Sequence, residues 1–152
     1  MTTSPAETRR LGAALGALLR AGDFVGLSGG LGAGKTEFVR GVAEGAGVPL
    51  DQVASPTFAI VYPYAGRLPL YHADLYRLTN VRELYETGFF DMGDDGAFLV
   101  EWFERIPEAA PRERLVLAFR NEGDDTRRIS ADARGSRACE LLRQWTVANP
   151  ES

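Results

Sequence analysis

The stretch GGLGAGKT, Gly29 to Thr36, decides how the rest of the chain reads. It fits the pattern G-x-x-x-x-G-K-[ST], a phosphate-binding loop, and each position has a physical purpose. Glycines let the backbone curl so that several N–H groups converge on one anion. The helix that follows turns its positive end and its unpaired donors toward the same point. Lys35 supplies a compact charge to the outer phosphates, and Thr36 offers a hydroxyl to Mg²⁺. The pattern nominates Gly29, Gly30, Leu31, Gly32, Ala33, Gly34, Lys35, Thr36 and Glu37 as the nucleotide-binding segment. A shuffled chain of this composition would contain such a match about once in a thousand, so chance is a poor account of it.

The chain has 17 Lys and Arg together, and Lys35 is the only lysine. An arginine preference elsewhere is what codon bias produces. Lysine stands where a flexible point charge fits and a broad planar guanidinium does not.

Outward from the loop, the sequence reads as alternating strands and helices. FVGLS, Phe24 to Ser28, is a short apolar strand leading into the loop. A helix of roughly Lys35–Ala46 follows, stopped by Gly47 and Pro49. Upstream, Ser4, Pro5 and Glu7 form a helix start with a capping-box acid. Leu11, Leu15, Leu18 and Leu19 then mark an apolar stripe, and Gly22 can end it. Downstream, Phe58–Tyr64 and Leu68–Asp74 read as two strands joined at Ala65-Gly66-Arg67. Asn80 and Glu83 suggest a second capping box, for a short helix closed by Gly88. Ala97–Trp102 is a compact apolar strand. RLVLAF and TRRISADA flank NEGDD as a second hairpin, and GSRACELLRQW is a C-terminal helix.

These elements predict an α/β chain with the three-layer P-loop fold: a mixed, mainly parallel central sheet with β-hairpins. Residues 1–147 are expected to form one domain and 148–152 a disordered tail.

A phosphate-binding loop of this kind needs an acid near Mg²⁺, usually at the end of a neighbouring strand. Glu101 follows Phe98-Leu99-Val100, and Asp74 follows Leu70-Tyr71-His72-Ala73. Both emerge where open α/β sheets bind ligands. Lys35, Asp74 and Glu101 are therefore the catalytic candidates, and Thr36 and Glu101 the metal candidates. The bland alternative for each acid is a solvated strand end or a helix cap. Ser55-Pro56-Thr57 is either a switch-like loop, with Thr57 sensing the γ-phosphate or metal, or a simple turn into a strand. His72 reads as a packing or hydrogen-bonding residue ahead of a catalytic base. Arg77 reads as an exposed arginine at a helix start, Trp102 as packing, and Cys139 as a buried thiol on a Leu-containing helix. Asp91, Asp94 and Asp95 read as ordinary loop acids.

Bulk composition bounds the rest. The chain has 152 residues, a net charge of −4, one Cys and one His. One Cys excludes an intramolecular disulfide and a thiolate zinc cluster. The acidic balance argues against a broad nucleic-acid surface, leaving only a local basic patch near Arg127 and Arg128. The start of the chain lacks the apolar core of a secretory signal, and no apolar run could span a membrane. A cytoplasmic setting is the expectation.

In order along the chain, LSGGLGAGKTEFVRG, SPTFAIVYPY, YHADLYRL and FLVEW resemble the TsaE (YjeE-type) family. These are small bacterial ATPases of tRNA threonylcarbamoyladenosine synthesis. The resemblance runs from about Leu27 to Trp102. It implies a P-loop domain that binds ATP and Mg²⁺ and has TsaB and TsaD as partners. It implies cycles of ATP and ADP, and tRNA reached only through the complex. It gives Lys35 and Thr36 their loop roles, makes Glu101 a Mg²⁺ ligand, and makes Asp74 a candidate for positioning water or metal. Two departures stand out. Gly30 occupies a position where the family commonly has Asp. Glu37 occupies one where it commonly has Thr or Ser, and so adds a negative charge near the phosphates. A small-molecule kinase using the same loop is the first alternative, although no Arg-rich lid insertion is visible. A non-hydrolysing, ATP-dependent binding module is the second. A GTPase fits worse, because no N-K-x-D guanine signature exists. The adenine contacts are expected near Ser4–Thr8 and the C-terminal hairpin.

Overall fold

The computed structural model describes residues 2–30, 34–49, 61–91 and 95–148. Helix α1, Pro5–Leu18, leads into strand β1, Phe24–Ser28, and helix α2, Lys35–Gly45. Strands β2, Val61–Tyr64, and β3, Leu70–Asp74, precede helix α3, Val81–Glu86. Strand β4, Ala97–Glu101, precedes strands β5, Arg114–Gly123, and β6, Thr126–Arg134, and helix α4, Ser136–Ala148, follows them. Among the described residues, single 3₁₀ turns lie at Phe89–Asp91, Phe103–Arg105 and Pro107–Ala109. Leu31, Gly32, Ala33, Ser55 and Thr57, all named from the sequence, fall outside the described residues, as does Asp94. No helix among the described residues is long and apolar enough to cross a membrane.

One six-stranded sheet orders the strands β2-β3-β4-β1-β5-β6. The four inner strands, β3, β4, β1 and β5, run parallel, and the two outer strands pair antiparallel as hairpin partners. This is the mixed, mainly parallel sheet read from the sequence. A parallel sheet needs cover on both faces. Val25 and Leu27 of β1 face a core shared with α1, α2 and α4, whereas Phe24 faces one closed by Leu84 of α3, Phe89, Phe103 and Ile106. The three layers follow from that alternation.

Local chemistry sets the helix starts as expected. The Ser4 hydroxyl accepts from the Glu7 N–H at 3.1 Å, and Asn80 Oδ1 accepts from the Glu83 N–H at 2.9 Å. Each such cap stabilises a helix by about 1 kcal/mol. Both capping acids reach one residue further back than a capping box requires. Glu7 accepts from the Thr3 N–H and hydroxyl, and Glu83 from those of Thr79. Helix α1 stops at Leu18, four residues before Gly22. Its end is capped instead by Arg67, whose Nη2 donates to the Gly16 carbonyl at 2.9 Å and the Leu19 carbonyl at 3.1 Å. Helix α4 extends through Ala148, one residue into the expected tail, and 149–152 lie outside the described residues.

Helices α1 and α2 cross at backbone contact. A Cβ on Gly12 would run into the Phe38 carbonyl oxygen, one on Gly16 into that of Val42, and one on Gly45 into that of Ala13. Glycine is the only residue that permits this approach. The close crossing ties the N-terminal helix to the helix that opens at Lys35.

Cys139 corrects a sequence expectation, because it is exposed. The buried face of α4 is Ala138, Leu141 and Trp145. Cys139 lies one residue, about 100°, off that stripe.

Candidate functional site

Strand β1 carries the chain to the carboxyl end of the parallel strands and releases it at Ser28. Gly29 then takes φ +129°, and a Cβ there would stand 2.5 Å from the Phe119 carbonyl oxygen. A left-handed turn pressed against β5 admits only glycine. Gly34 precedes the first turn of α2 with φ +93°. Its neighbour across the chain is Arg127 of β6, whose Cγ would lie 3.3 Å from a Cβ on Gly34. Thr2 pairs with Arg127 through two 2.8 Å backbone hydrogen bonds. The segment before α1 and the C-terminal hairpin thus meet close to Gly34.

Register brings the two acids together. Asp74 ends β3 and Glu101 ends β4, and the two are direct partners across that parallel pair. Glu101 is in turn the register partner of Leu27, the last fully buried residue of β1 before the loop. Leu27 and Leu99 face the core that α2 covers, and side chains two residues apart share a face. Asp74 and Glu101 therefore project on the side from which Lys35 enters.

Lys35 is only 6% exposed, and its Nζ donates to the Gly29 carbonyl at 2.6 Å. Burial pulls its ammonium below the ordinary lysine value, against the opposing charges of Glu104, Glu101 and Asp74. Asp74 shows the complementary behaviour. Burial raises its carboxyl above the ordinary aspartate value, and the Glu101 charge raises it too. The Tyr76 N–H, which donates to Asp74 Oδ1 at 2.9 Å, His72 and Lys35 act in the other direction. Thr36 is exposed at the first turn of α2. Glu37 pairs with Arg40 at 3.1 Å, so its charge is partly answered within its own helix. Gly30 is exposed, with open space around it.

Three site residues differ from, or go beyond, the sequence reading. Trp102, expected as packing, lies under the Lys35 ammonium, which sits 3.6 Å from its ring centroid. Trp102 holds a left-handed backbone, φ 58°, and this turns the chain sharply after β4. Two residues on, Glu104 accepts from the Gly29 N–H at 3.0 Å. No pattern in the sequence ties Glu104 to the loop, since the contact depends on the turn at Trp102. His72, expected as packing or hydrogen bonding, is both. It is 1% exposed, with Nδ1 3.0 Å from the Tyr64 hydroxyl and Nε2 2.5 Å from Glu101 Oε2. Arg77 is exposed, but in the turn after β3, since α3 begins at Val81. Asp95 accepts from the Tyr71 hydroxyl at 2.7 Å, away from the loop. The basic pair in β6 is occupied locally. Arg127 Nη1 donates to the Asp124 carbonyl at 2.7 Å, and Arg128 pairs with Glu122 at 2.8 Å.

The donor set suits a hard divalent cation held together with phosphate. Among the described residues no three His, Cys, Asp or Glu side chains converge into a metal cage. Mg²⁺ with a nucleotide needs none, because it is held by one or two carboxylates, phosphate oxygens and water. Thr36, Glu101 and Asp74 offer oxygen ligands of that kind.

Residues 2–129 match the family model described as "Threonylcarbamoyl adenosine biosynthesis protein TsaE". The tRNA threonylcarbamoyladenosine biosynthesis protein TsaE of Bacillus subtilis is 42% identical over 159 residues, covering 97% of this chain and 96% of that protein. The protein of the same name from Treponema pallidum is 37% identical, covering 86% and 96%. The crystal structure of Bacillus subtilis YdiB superposes with a TM-score of 0.77 at 36% identity, covering 97% of this chain and 93% of that one.

Proposed function

The chain belongs to the TsaE family, and from that premise we propose that it is an Mg²⁺-dependent ATP-binding protein and weak ATPase. In this reading it serves threonylcarbamoyladenosine modification of tRNA beside the anticodon, through nucleotide-dependent association with TsaB and TsaD proteins. The names of its relatives support the pathway. One observation carries the chemistry: Asp74 and Glu101 stand in register on adjacent strands, beside the ammonium of Lys35.

Each residue then has a task. Backbone N–H groups of the Gly29–Thr36 loop and the start of α2 hold the phosphates. Lys35 leaves the Gly29 carbonyl for the outer phosphates. Thr36 and Glu101 would hold Mg²⁺, which supplies charge neutralisation for the phosphates when bound. Asp74 orients water, a role suited to a carboxylate whose burial has raised its proton affinity. The nucleoside lies toward Arg127 and the start of α1. Turnover alone is slow, because Lys35 is the one cationic side chain assigned to the phosphates and no arginine is assigned to the charge developing on the γ-phosphate. Partners commonly supply that group or the closure that aligns one.

ATP titration and turnover, each with and without a purified TsaB–TsaD pair, test the reading. The pair should tighten ATP binding, and by linkage ATP should tighten the pair's binding by the same factor. Turnover should rise as well. Unchanged affinity and turnover would discard the partner-dependent reading, and phosphate transfer to a small acceptor would replace it with a kinase.

A further inference from the structure

A line of hydrogen bonds runs across three strands behind the site. It starts at the Tyr64 hydroxyl on β2, passes through both ring nitrogens of His72 on β3, and ends at Glu101 Oε2 on β4. The phosphate chemistry makes no use of Tyr64 or His72. Packing alone does not explain them either. His72 is buried to 1% exposure beside Leu70 and Leu99, where an apolar side chain would avoid the cost of desolvating two ring nitrogens.

The directions of these bonds follow from the groups themselves. A carboxylate only accepts, so His72 Nε2 carries the proton and donates to Glu101. When the ring carries that one proton, Nδ1 is an acceptor to which the Tyr64 hydroxyl donates. The side chain of Glu101 is 12% exposed and that of His72 only 2%. One carboxylate oxygen, Oε2, is thus held from inside the sheet, on a side chain that keeps some exposure.

We infer that His72, oriented by Tyr64, is a positioning residue that fixes the Glu101 carboxylate for a divalent cation bound with the nucleotide. The inference rests on the reading of Glu101 as a cation ligand. Hydrogen-bonding partners that orient metal ligands are worth roughly 10–100-fold in metal affinity. His72 is not offered as a base, because both ring nitrogens are already engaged.

The test is calorimetric titration of the full chain with ADP, in EDTA and across a series of Mg²⁺ concentrations. The variants are Glu101→Gln, His72→Phe, His72→Gln and Tyr64→Phe, each first melted without metal to establish folding. His72→Phe should bind metal-free ADP like the parent, but need about tenfold more Mg²⁺ for the same enhancement. His72→Gln, whose amide can donate to Glu101, should recover much of that loss. Tyr64→Phe keeps the ring and loses only the hydroxyl, so it should show a smaller shift in the same direction. It also decides the matter should His72→Phe fail to fold. Loss of Mg²⁺ dependence in Glu101→Gln together with parental behaviour in the His72 and Tyr64 variants would overturn the inference alone. Parental behaviour in Glu101→Gln would overturn the cation-ligand reading, and the inference with it.

Discussion

The ammonium of Lys35 lies 3.6 Å from the centre of the Trp102 ring and 2.6 Å from the Gly29 carbonyl oxygen. Tyr76 packs against the same indole at 4.8 Å between centroids, and Arg105 lies 5.1 Å from the Tyr76 ring. A desolvated ammonium over an indole face gains roughly 2 kcal/mol, enough to hold it in place without a phosphate.

That placement sets the outcome of two substitutions. Lys35→Met should stay folded and melt close to the parent, since the burial cost of the ammonium and its contacts with Trp102, Gly29 and the nearby carboxylates oppose each other, and it should lose nucleotide binding in calorimetry. Lys35→Arg should also fail, because a planar fork cannot occupy the narrow space between a carbonyl and an indole that a point charge fills. Turnover near the parental rate in Lys35→Arg would mean that the lone lysine reflects codon history alone.

The α1–α2 crossing is a second place where one atom decides. Gly16→Ala presses a methyl against the Val42 carbonyl, which is backbone and cannot swing aside. Overpacking of this kind costs about 1–3 kcal/mol, or several degrees of melting temperature at this chain length. Gly22→Ala is the control. Nothing lies within 4 Å of its Cβ, and only the strain of φ +90° remains, worth about 1 kcal/mol. Equal losses in the two variants would mean that the crossing has room to relax.

Most of the architecture was legible because it rests on local signals. The loop pattern, the caps at Ser4 and Asn80, the apolar strands and the hairpin at NEGDD all announce themselves within a few residues. Lys35, Asp74 and Glu101 were legible for the same reason, as a motif lysine and two acids after apolar runs. Trp102 packs against the second core as expected, but its contact with Lys35 had no local signal, since it follows from a left-handed backbone at the strand end. Glu104 had no signal at all. Its contact with Gly29 joins residues far apart in sequence, through a turn that no residue type requires. Cys139 was misplaced by a single step of helical phase.

The raised carboxyl of Asp74 makes stability depend on pH with a definite sign. A carboxyl that binds its proton more tightly when folded contributes most stability in acid, below the ordinary value of 3.8. That contribution is lost as pH rises through the folded value, and at neutral pH the charged form is a burden on the ligand-free fold. Asp74→Asn keeps an oxygen for the Tyr76 N–H and removes the charge. It should therefore melt higher than the parent at pH 7, and the gain should disappear below pH 3.8. Turnover should fall more than nucleotide affinity. A variant that melts lower at neutral pH would place the acid in a stabilising ion pair instead.

The last prediction separates stability from function at the opposite end of the sheet. Asp23 precedes β1 and is buried, and Arg137 of α4 grips it with Nε and Nη2, each at 2.9 Å. The same Nη2 donates to the Leu18 carbonyl at 2.9 Å, so the pair also fastens the end of α1. Breaking a fully buried pair from one side costs about 3–5 kcal/mol, because a charge is left without its partner. Here Asp23 keeps the Arg20 N–H at 2.8 Å, and the Arg137 side chain is 21% exposed. Arg137→Met should therefore lose less, about 2–3 kcal/mol in denaturant unfolding. Asp23→Asn in the same background should restore part of it by removing the stranded charge while keeping the bond to Arg20, so that the double variant loses less than the two single losses added together. Ser28 and the phosphate loop leave the far end of β1, so ATP titration should give parental affinity in every variant that remains folded. Reduced affinity in Arg137→Met at unchanged stability would show instead that the base of α4 communicates with the loop.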